Sequence, residues 1–266
     1  MPDVRLDAAL AERGLARSRT HAARLIADGL VTIDGVGVVK PSTKVTESQQ
    51  LAVAGLDRYV SRAAHKLIGA LDAFGVSPAG RVALDVGAST GGFTQVLLER
   101  GATQVIALDV GHGQLDRLIR NDARVAVVEG FNARFMTAYS LAEASKSSEI
   151  PTLVVADLSF ISVTQVLPAL VESVAPGADF VLLIKPQFEV GRTGIREGIV
   201  RNRGLRLDAV TTVLWAAWDL GLGTAGVISS PIVGTAGNHE YLVWFNSETG
   251  TNPTNWLDTV AGLVDA

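Results

Sequence analysis

The chain has 266 residues, 48% apolar and 19% charged, with mean hydropathy +0.30. That is enough apolar content for a sizeable core, and it excludes disorder, collagen and coiled coil. Zero cysteines exclude a disulfide framework, a zinc ribbon and a thiol nucleophile. Net charge is −4, yet residues 1–60 hold 8 Lys/Arg against 7 Asp/Glu and the rest hold 15 against 20, so a local basic face for phosphate remains possible on an acidic chain.

In chain order, residues 5–13 set Leu6, Ala9 and Leu10 on one helical face. Ser18 is an expected N-cap for a second helix, with Ala22, Leu25 and Ile26 inward and Gly29 ending it. Two β-rich runs around Asp34-Gly35 signal a hairpin, followed by Pro41 and a short strand at 51–53. From Leu56 to Arg62 the grain changes. After residue 80, apolar runs (RVALDVG, TQVIALDV, VAVVEG, PTLVVADLS, DFVLLIKP) alternate with helical stretches (FTQVLLERG, 111–121, VTQVLPALVESV). This is the pattern of a doubly wound parallel sheet, an α/β fold preceded by a small α+β unit. A helix over 203–220 and a strand pair, VISSPI and EYLVWF, close the chain. The charged start MPDVRLDAAL does not read as a secretory leader, and the longest uncharged run, 220–238, holds five glycines and a proline. It is a poor membrane helix, and a soluble, cytoplasmic protein is expected.

The first sheet strand ends in Asp85-Val86-Gly87-Ala88-Ser89-Thr90-Gly91-Gly92-Phe93. A dinucleotide fingerprint needs glycine where Ser89 stands, so the pyrophosphate reading fails. The second strand ends in Asp109, 22 residues beyond Gly87, where a carboxylate can accept from both hydroxyls of an adenosine ribose. Together they resemble the S-adenosylmethionine site of Rossmann-like methyltransferases. Asp157 and Lys185 end the fourth and fifth strands, at the sheet edge where ligands bind in such folds. Lys66 and Glu240 could join them; four unrelated surface charges are the alternative at this point. No histidine pair has ligand spacing, and no metal is expected.

The blocks VSRAAHKL (60–67), LDVGASTGGFT (84–94), ALDVGHGQL (107–115), VVADLSFIS (154–162), LIKPQFEVGR (183–192) and SPIVGTAGNHEYL (230–242) occur in order. Through them the chain resembles the TlyA family, hemolysin-named proteins whose characterised members are ribosomal-RNA 2′-O-ribose methyltransferases. The resemblance implies a small RNA-binding domain of ribosomal-protein type at 1–58, a linker at 59–63 and an FtsJ-type methyltransferase domain at 64–266. Two positions depart from the family pattern: Ala63-Ala64, where relatives often carry glycine, and Tyr59, where some carry tryptophan.

The resemblance also implies a catalytic tetrad, matched by Lys66, Asp157, Lys185 and Glu240. It implies S-adenosyl-L-methionine as cofactor, held by Asp85, Gly87, Ala88, Ser89, Thr90, Gly91, Gly92, Phe93, Asp109, Asn132 and Asp157. A ribose hydroxyl gives up its proton only to a positioned base, and Lys185 is assigned that role. Lys66 favours its neutral form and holds the oxygen, and the two carboxylates orient the ammonium groups. For ribosomal RNA, which the resemblance implies is modified at a cytidine, the expected phosphate contacts are Arg5, Arg17, Arg19 and Lys40, at and near the start of the second helix. Arg192, Arg196, Arg201, Arg203 and Arg206 form a second basic stretch. Methylation of another acceptor, membrane lysis, and a non-catalytic role in ribosome assembly remain open on the sequence alone.

Overall fold

A computed structural model describes residues 4–16, 18–27, 29–38, 40–53, 59–191, 197–234 and 237–265. The chain forms two compact units, 1–58 and 59–266.

The smaller unit runs β1 (Val4–Arg5), α1 (Leu6–Glu12), α2 (Arg19–Ala27), β2 (Val31–Ile33), β3 (Val36–Gly37), β4 (Lys44–Val45) and β5 (Leu51–Val53). Ser18 Oγ accepts from His21 N–H at 3.2 Å, the N-cap read from the sequence. The β2–β3 hairpin turns at Asp34-Gly35, both with positive φ, and β5 pairs on the other side of β2. β1 pairs with β4, two residues each, a contact too short to leave a sequence pattern. Leu6, Leu10, Ala22, Ile26 and Val31 are buried together as this unit's own core.

The larger unit runs α3 (Ala64–Phe74), β6 (Val82–Val86), α4 (Gly92–Glu99), β7 (Gln104–Leu108), α5 (Arg117–Arg120), β8 (Val125–Val128), α6 (Ala138–Ser145), β9 (Leu153–Ala156), α7 (Leu167–Glu172), β10 (Asp179–Ile184), α8 (Pro186–Glu189), α9 (Arg203–Asp219), β11 (Gly223–Ser229), β12 (Tyr241–Asn246) and α10 (Leu257–Asp265). Its sheet has the order β11-β12-β10-β9-β6-β7-β8. The five strands β6 to β10 are parallel to one another, and β12 is antiparallel to both β10 and β11. Alternate residues of each strand serve opposite faces. Leu84, Ile106, Val154 and Leu182 join a core with α7, α9 and α10, while Ala83, Val105, Val155 and Val181 join one with α3 and α4. Burial on both faces is why these strands read as uninterrupted apolar runs.

Three sequence expectations are corrected. Residues 59–63 belong to the larger unit rather than to a linker: Tyr59 is buried and its hydroxyl donates to Glu99, and Val60 N–H donates to Gln95. The helix expected over 111–121 shrinks to α5, because Gly113 takes φ +66° and the chain only regains helix after the Asp116 cap. VTQVLPALVESV divides into a 3-10 turn, Val163–Gln165, and α7, with Pro168 in the first turn where its missing N–H costs nothing. The uncharged run 220–238 contains β11, and among the described residues no helix is long and apolar enough to cross a membrane.

Candidate active site

Strand order places the chemistry. The chain leaves β6 toward β7 and β8 on one side, then returns to β9 and β10 on the other. The crevice at such a reversal, outside the strands' carboxyl ends, is where ligands bind in open α/β sheets. Gly87 follows β6, Asp157 follows β9 and Lys185 follows β10. Because β12 is antiparallel, with Tyr241 opposite Ile184, its beginning lies at the same edge and delivers Glu240.

Two glycines let these elements close up. A Cβ on Gly87, at φ +81°, would stand 2.8 Å from the Asp157 carbonyl oxygen. A Cβ on Gly92 would stand 2.8 Å from Ser61 Cβ and 3.2 Å from Ala64 N. The first residue admits the end of β9, and the second admits the start of α3, which carries Lys66 in its first turn. Gly234 makes room for Glu240 in the same way, since a Cβ there would lie 2.6 Å from its carboxylate.

The four expected catalytic side chains meet. Lys66, Lys185 and Glu240 are 6, 9 and 4% exposed. Lys66 Nζ donates to Glu240 Oε2 at 2.6 Å and stands 3.6 Å from Asp157 Oδ2. Lys185 Nζ pairs with Asp157 Oδ1 at 2.5 Å, without hydrogen-bond alignment, and donates a hydrogen bond to Ser159 Oγ at 3.0 Å. Asp157 therefore bridges two ammonium groups, while each lysine has its aligned hydrogen bond elsewhere. Buried charges of this kind persist only when compensated. Two carboxylates against two ammonium groups supply that compensation.

The tetrad lines a cavity of about 230 Å³, shared with Ser61, Arg62, Ala63, Ala88, Thr90, Gly92 and Phe93. A second cavity, about 530 Å³, continues from it along Gly87, Ser89, Asp157 and Ser159, which line both. Its walls are largely apolar (Val86, Leu108, Phe131, Leu158, Ile161), with Asp109, Gln114, Asn132 and Arg134 as polar points beside the shared Ser89, Asp157 and Ser159. Ser89 N–H and Gly111 N–H donate to the two oxygens of Asp109 at 2.8 and 2.7 Å, which fixes the carboxylate with lone pairs to spare. An apolar slot with one oriented carboxylate fits a nucleoside whose ribose hydroxyls need acceptors.

Two residues expected to touch the cofactor line neither cavity. Asp85 is 1% exposed beneath the loop, where Thr94 Oγ1 donates to its Oδ2 at 2.6 Å. Burial, opposed by that hydroxyl and reinforced by the Asp157 and Asp109 charges, pushes its carboxyl up to about 7. Gly91 is the N-cap position of α4 at φ +95°, packed against Leu115 and Ile119. Sequence reasoning passed over Ser61, Arg62, Ser159, Gln114, Arg134 and Phe160, all on the cavity walls. Phe160 alone carried a signal, an aromatic ring in a loop after a sheet strand. It is 91% exposed, at φ +66°, with its ring 5.4 Å from that of Phe188.

In the smaller unit, Arg5 and Arg19 converge on Asp7. Arg5 donates to both its oxygens at 3.0 and 3.1 Å, and Arg19 to one at 3.3 Å. The Arg5 hydrogen bond, opposed by burial and aided by Arg19, brings the Asp7 carboxyl down to about 2. Both guanidinium groups stay substantially exposed, as does Lys40. Arg17, Arg192 and Arg196 lie outside the described residues. The remaining arginines of the second basic stretch are engaged within the chain: Arg201 with Glu197 at 3.4 Å, Arg203 with Asp265, and Arg206 with the Arg201 and Val264 carbonyls.

Comparison with known proteins gives the same two-part division. Residues 59–247 match the FtsJ-like methyltransferase family, and residues 4–51 match the S4 domain. The chain is 50% identical over 249 residues to the 16S/23S rRNA (cytidine-2′-O)-methyltransferase TlyA of Mycobacterium tuberculosis, covering 92% of this chain and 91% of that one. It is 39% identical over 243 residues to Hemolysin A of Brachyspira hyodysenteriae, covering 91% and 99%. A solved structure from Streptococcus thermophilus that also carries the hemolysin name is similar over 100% of this chain and 95% of its own. It has 36% identity and a TM-score of 0.76.

Proposed function

The chain belongs to the FtsJ-like methyltransferases, and from that premise we propose that it methylates a ribose 2′-hydroxyl of ribosomal RNA, at a cytidine, using S-adenosylmethionine. The observation that carries this reading is the shared wall between the two cavities: the slot suited to a nucleoside adjoins, through Gly87, Ser89, Asp157 and Ser159, the cavity lined by Lys66 and Lys185. The name of the Mycobacterium tuberculosis relative supports ribosomal RNA and the cytidine, and the S4 match supports an RNA-gripping role for the smaller unit. An RNA of the ribosome as substrate makes the cytoplasm the place of action.

Asp109 and Asn132 would hold the ribose and neighbouring atoms of the cofactor, and Gly87 to Ser89 would pass beneath it. Bound there, S-adenosylmethionine would supply an electrophilic methyl group to the ribose oxygen, with its sulfur as the leaving group, and Lys185 Nζ would take the hydroxyl proton. Lys66 holds the oxygen as charge develops on it, and Glu240 keeps Lys66 in place through the 2.6 Å hydrogen bond. Lys185 acts as the neutral amine, and Asp157 balances the charge of Lys66 and, once the proton has been taken, that of Lys185. The exposed ring of Phe160, tilted against that of Phe188, offers an apolar face on which a nucleobase can stack.

The test is mass mapping of ribosomal RNA incubated with the protein and S-adenosylmethionine. One ribose-methylated cytidine supports the reading; methyl transfer to a base, or none to any ribosomal RNA or subunit, contradicts it.

A further inference from the structure

We propose that Ser159 is the positioning residue for Lys185: its hydroxyl fixes the direction in which the amine meets the substrate hydroxyl. The proposal rests on the reading of Lys185 as base. A lysine amine sits at the end of four methylene groups, and transfer of a proton requires its lone pair to face the donor. Asp157 supplies charge at 2.5 Å but not hydrogen-bond alignment. Phe188 borders the amine at 6.0 Å from its ring centroid, a contact without directional demand on one N–H. The aligned bond is the one donated to Ser159 Oγ at 3.0 Å. With one N–H of the neutral amine committed to Ser159, the lone pair is confined to the remaining tetrahedral positions, away from the serine oxygen. Lys185 and Ser159 both line the smaller cavity, so this bond sets how the amine is presented there.

The loop around Ser159 is built to hold it there. On its near side Gly87 lies against the Asp157 carbonyl. Just beyond it, Phe160 takes φ +66°, a left-handed conformation that costs a bulky residue energy and persists where its surroundings enforce it. This reversal lets the phenyl ring face solvent while the preceding hydroxyl stays on the amine. On the far side, Glu189 accepts from Ser162 Oγ and from Val163 N–H at 2.9 Å. Glu189 ends α8, the helix that begins immediately after Lys185. Serine loop and lysine are therefore tied together twice, once directly and once through Glu189.

The experiment compares Ser159→Ala and Ser159→Thr in the full chain, alongside Lys185→Ala. Single-turnover rates are measured at saturating S-adenosylmethionine and ribosomal RNA, with affinities for each determined separately. Ser159→Ala should slow transfer about 10- to 100-fold, the scale of a misdirected reacting group, with both affinities near wild type. Ser159→Thr, which restores the hydroxyl, should recover most of the rate. A wild-type rate in Ser159→Ala, a loss confined to affinity, or equal losses in Ala and Thr overturns the proposal. If Lys185→Ala is inactive while Ser159→Ala is normal, only the role of Ser159 falls. If Lys185→Ala transfers normally, the base assignment itself falls.

Discussion

Asp157 presents its backbone carbonyl oxygen 2.8 Å from the point where a Cβ on Gly87 would stand. The glycine is thus a condition for bringing the Asp157 carboxylate, proposed as catalytic, to the loop proposed to hold the cofactor, as well as for the turn at φ +81°. Gly87→Ala should lose about 1–3 kcal/mol of stability from the left-handed backbone alone, and transfer should fall further as the end of β9 is displaced. Denaturant unfolding and single-turnover rates check the two effects separately. An alanine variant with wild-type rate would show that this close approach does not matter.

Asp109 is held by two backbone N–H groups, and the carboxylate's remaining lone pairs face the larger cavity. Asp109→Ala should weaken S-adenosylmethionine binding by about 1–3 kcal/mol, as expected for lost hydrogen bonds to a charged acceptor. Calorimetry, with and without RNA, reads this directly. Unchanged affinity in both conditions would remove Asp109 from the site.

Asp85 makes stability depend on pH. Its carboxyl, ordinarily near 3.8, is raised to about 7 by burial. From about pH 4 to about pH 7, then, the folded chain keeps a proton that the unfolded chain has released. Its contribution to stability therefore falls as pH rises through that window and is least above it. Asp85→Asn keeps an acceptor for Thr94 and cannot ionise. Relative to wild type, it should gain stability between pH 5 and pH 8, by about 2–3 kcal/mol at most. Denaturant melts at the two pH values test this, and a constant difference between the two proteins would contradict it.

Removing residues 1–58 takes away a unit with its own core and leaves a unit with 15 Lys/Arg against 20 Asp/Glu. The truncated chain should melt cooperatively, still bind S-adenosylmethionine, and fail to methylate ribosomal RNA. For the full chain, RNA affinity should drop steeply with salt, because each phosphate contact releases counterions. Full-rate methylation by the truncated chain would end the assignment of RNA gripping to the smaller unit.

The sheet was legible because its strands are buried on both faces and announce themselves as apolar runs between glycine turns. The tetrad came from the family resemblance; on spacing alone, four charges beside strand ends and a helix start left unrelated surface charges open. Which charge pairs with which was not legible, since that depends on β12 entering antiparallel beside β10, a matter of sheet order rather than spacing. Ser159 and Phe188 escaped notice for the same reason: their partners come from another loop. The α10 helix was also missed; its apolar residues Val260 and Val264 find their core only beneath α9 and β11. Asp85 and Gly91 were assigned by their place in a motif, and their side-chain surroundings moved them into the fold's interior.

The central claim is that Lys185 takes the ribose proton within a charge-balanced group of four. The direct measurement is the single-turnover rate of Lys185→Ala on ribosomal RNA, with S-adenosylmethionine and RNA binding verified for the same preparation. A positioned base contributes about 10²–10⁴-fold, so transfer should fall at least that far while both ligands still bind. Lys66→Ala, Asp157→Ala and Glu240→Ala should each be damaging, with combined losses far short of additive, because Asp157 bridges both lysines and Glu240 holds Lys66. A Lys185→Ala protein that binds both ligands and methylates at the normal rate would contradict the account.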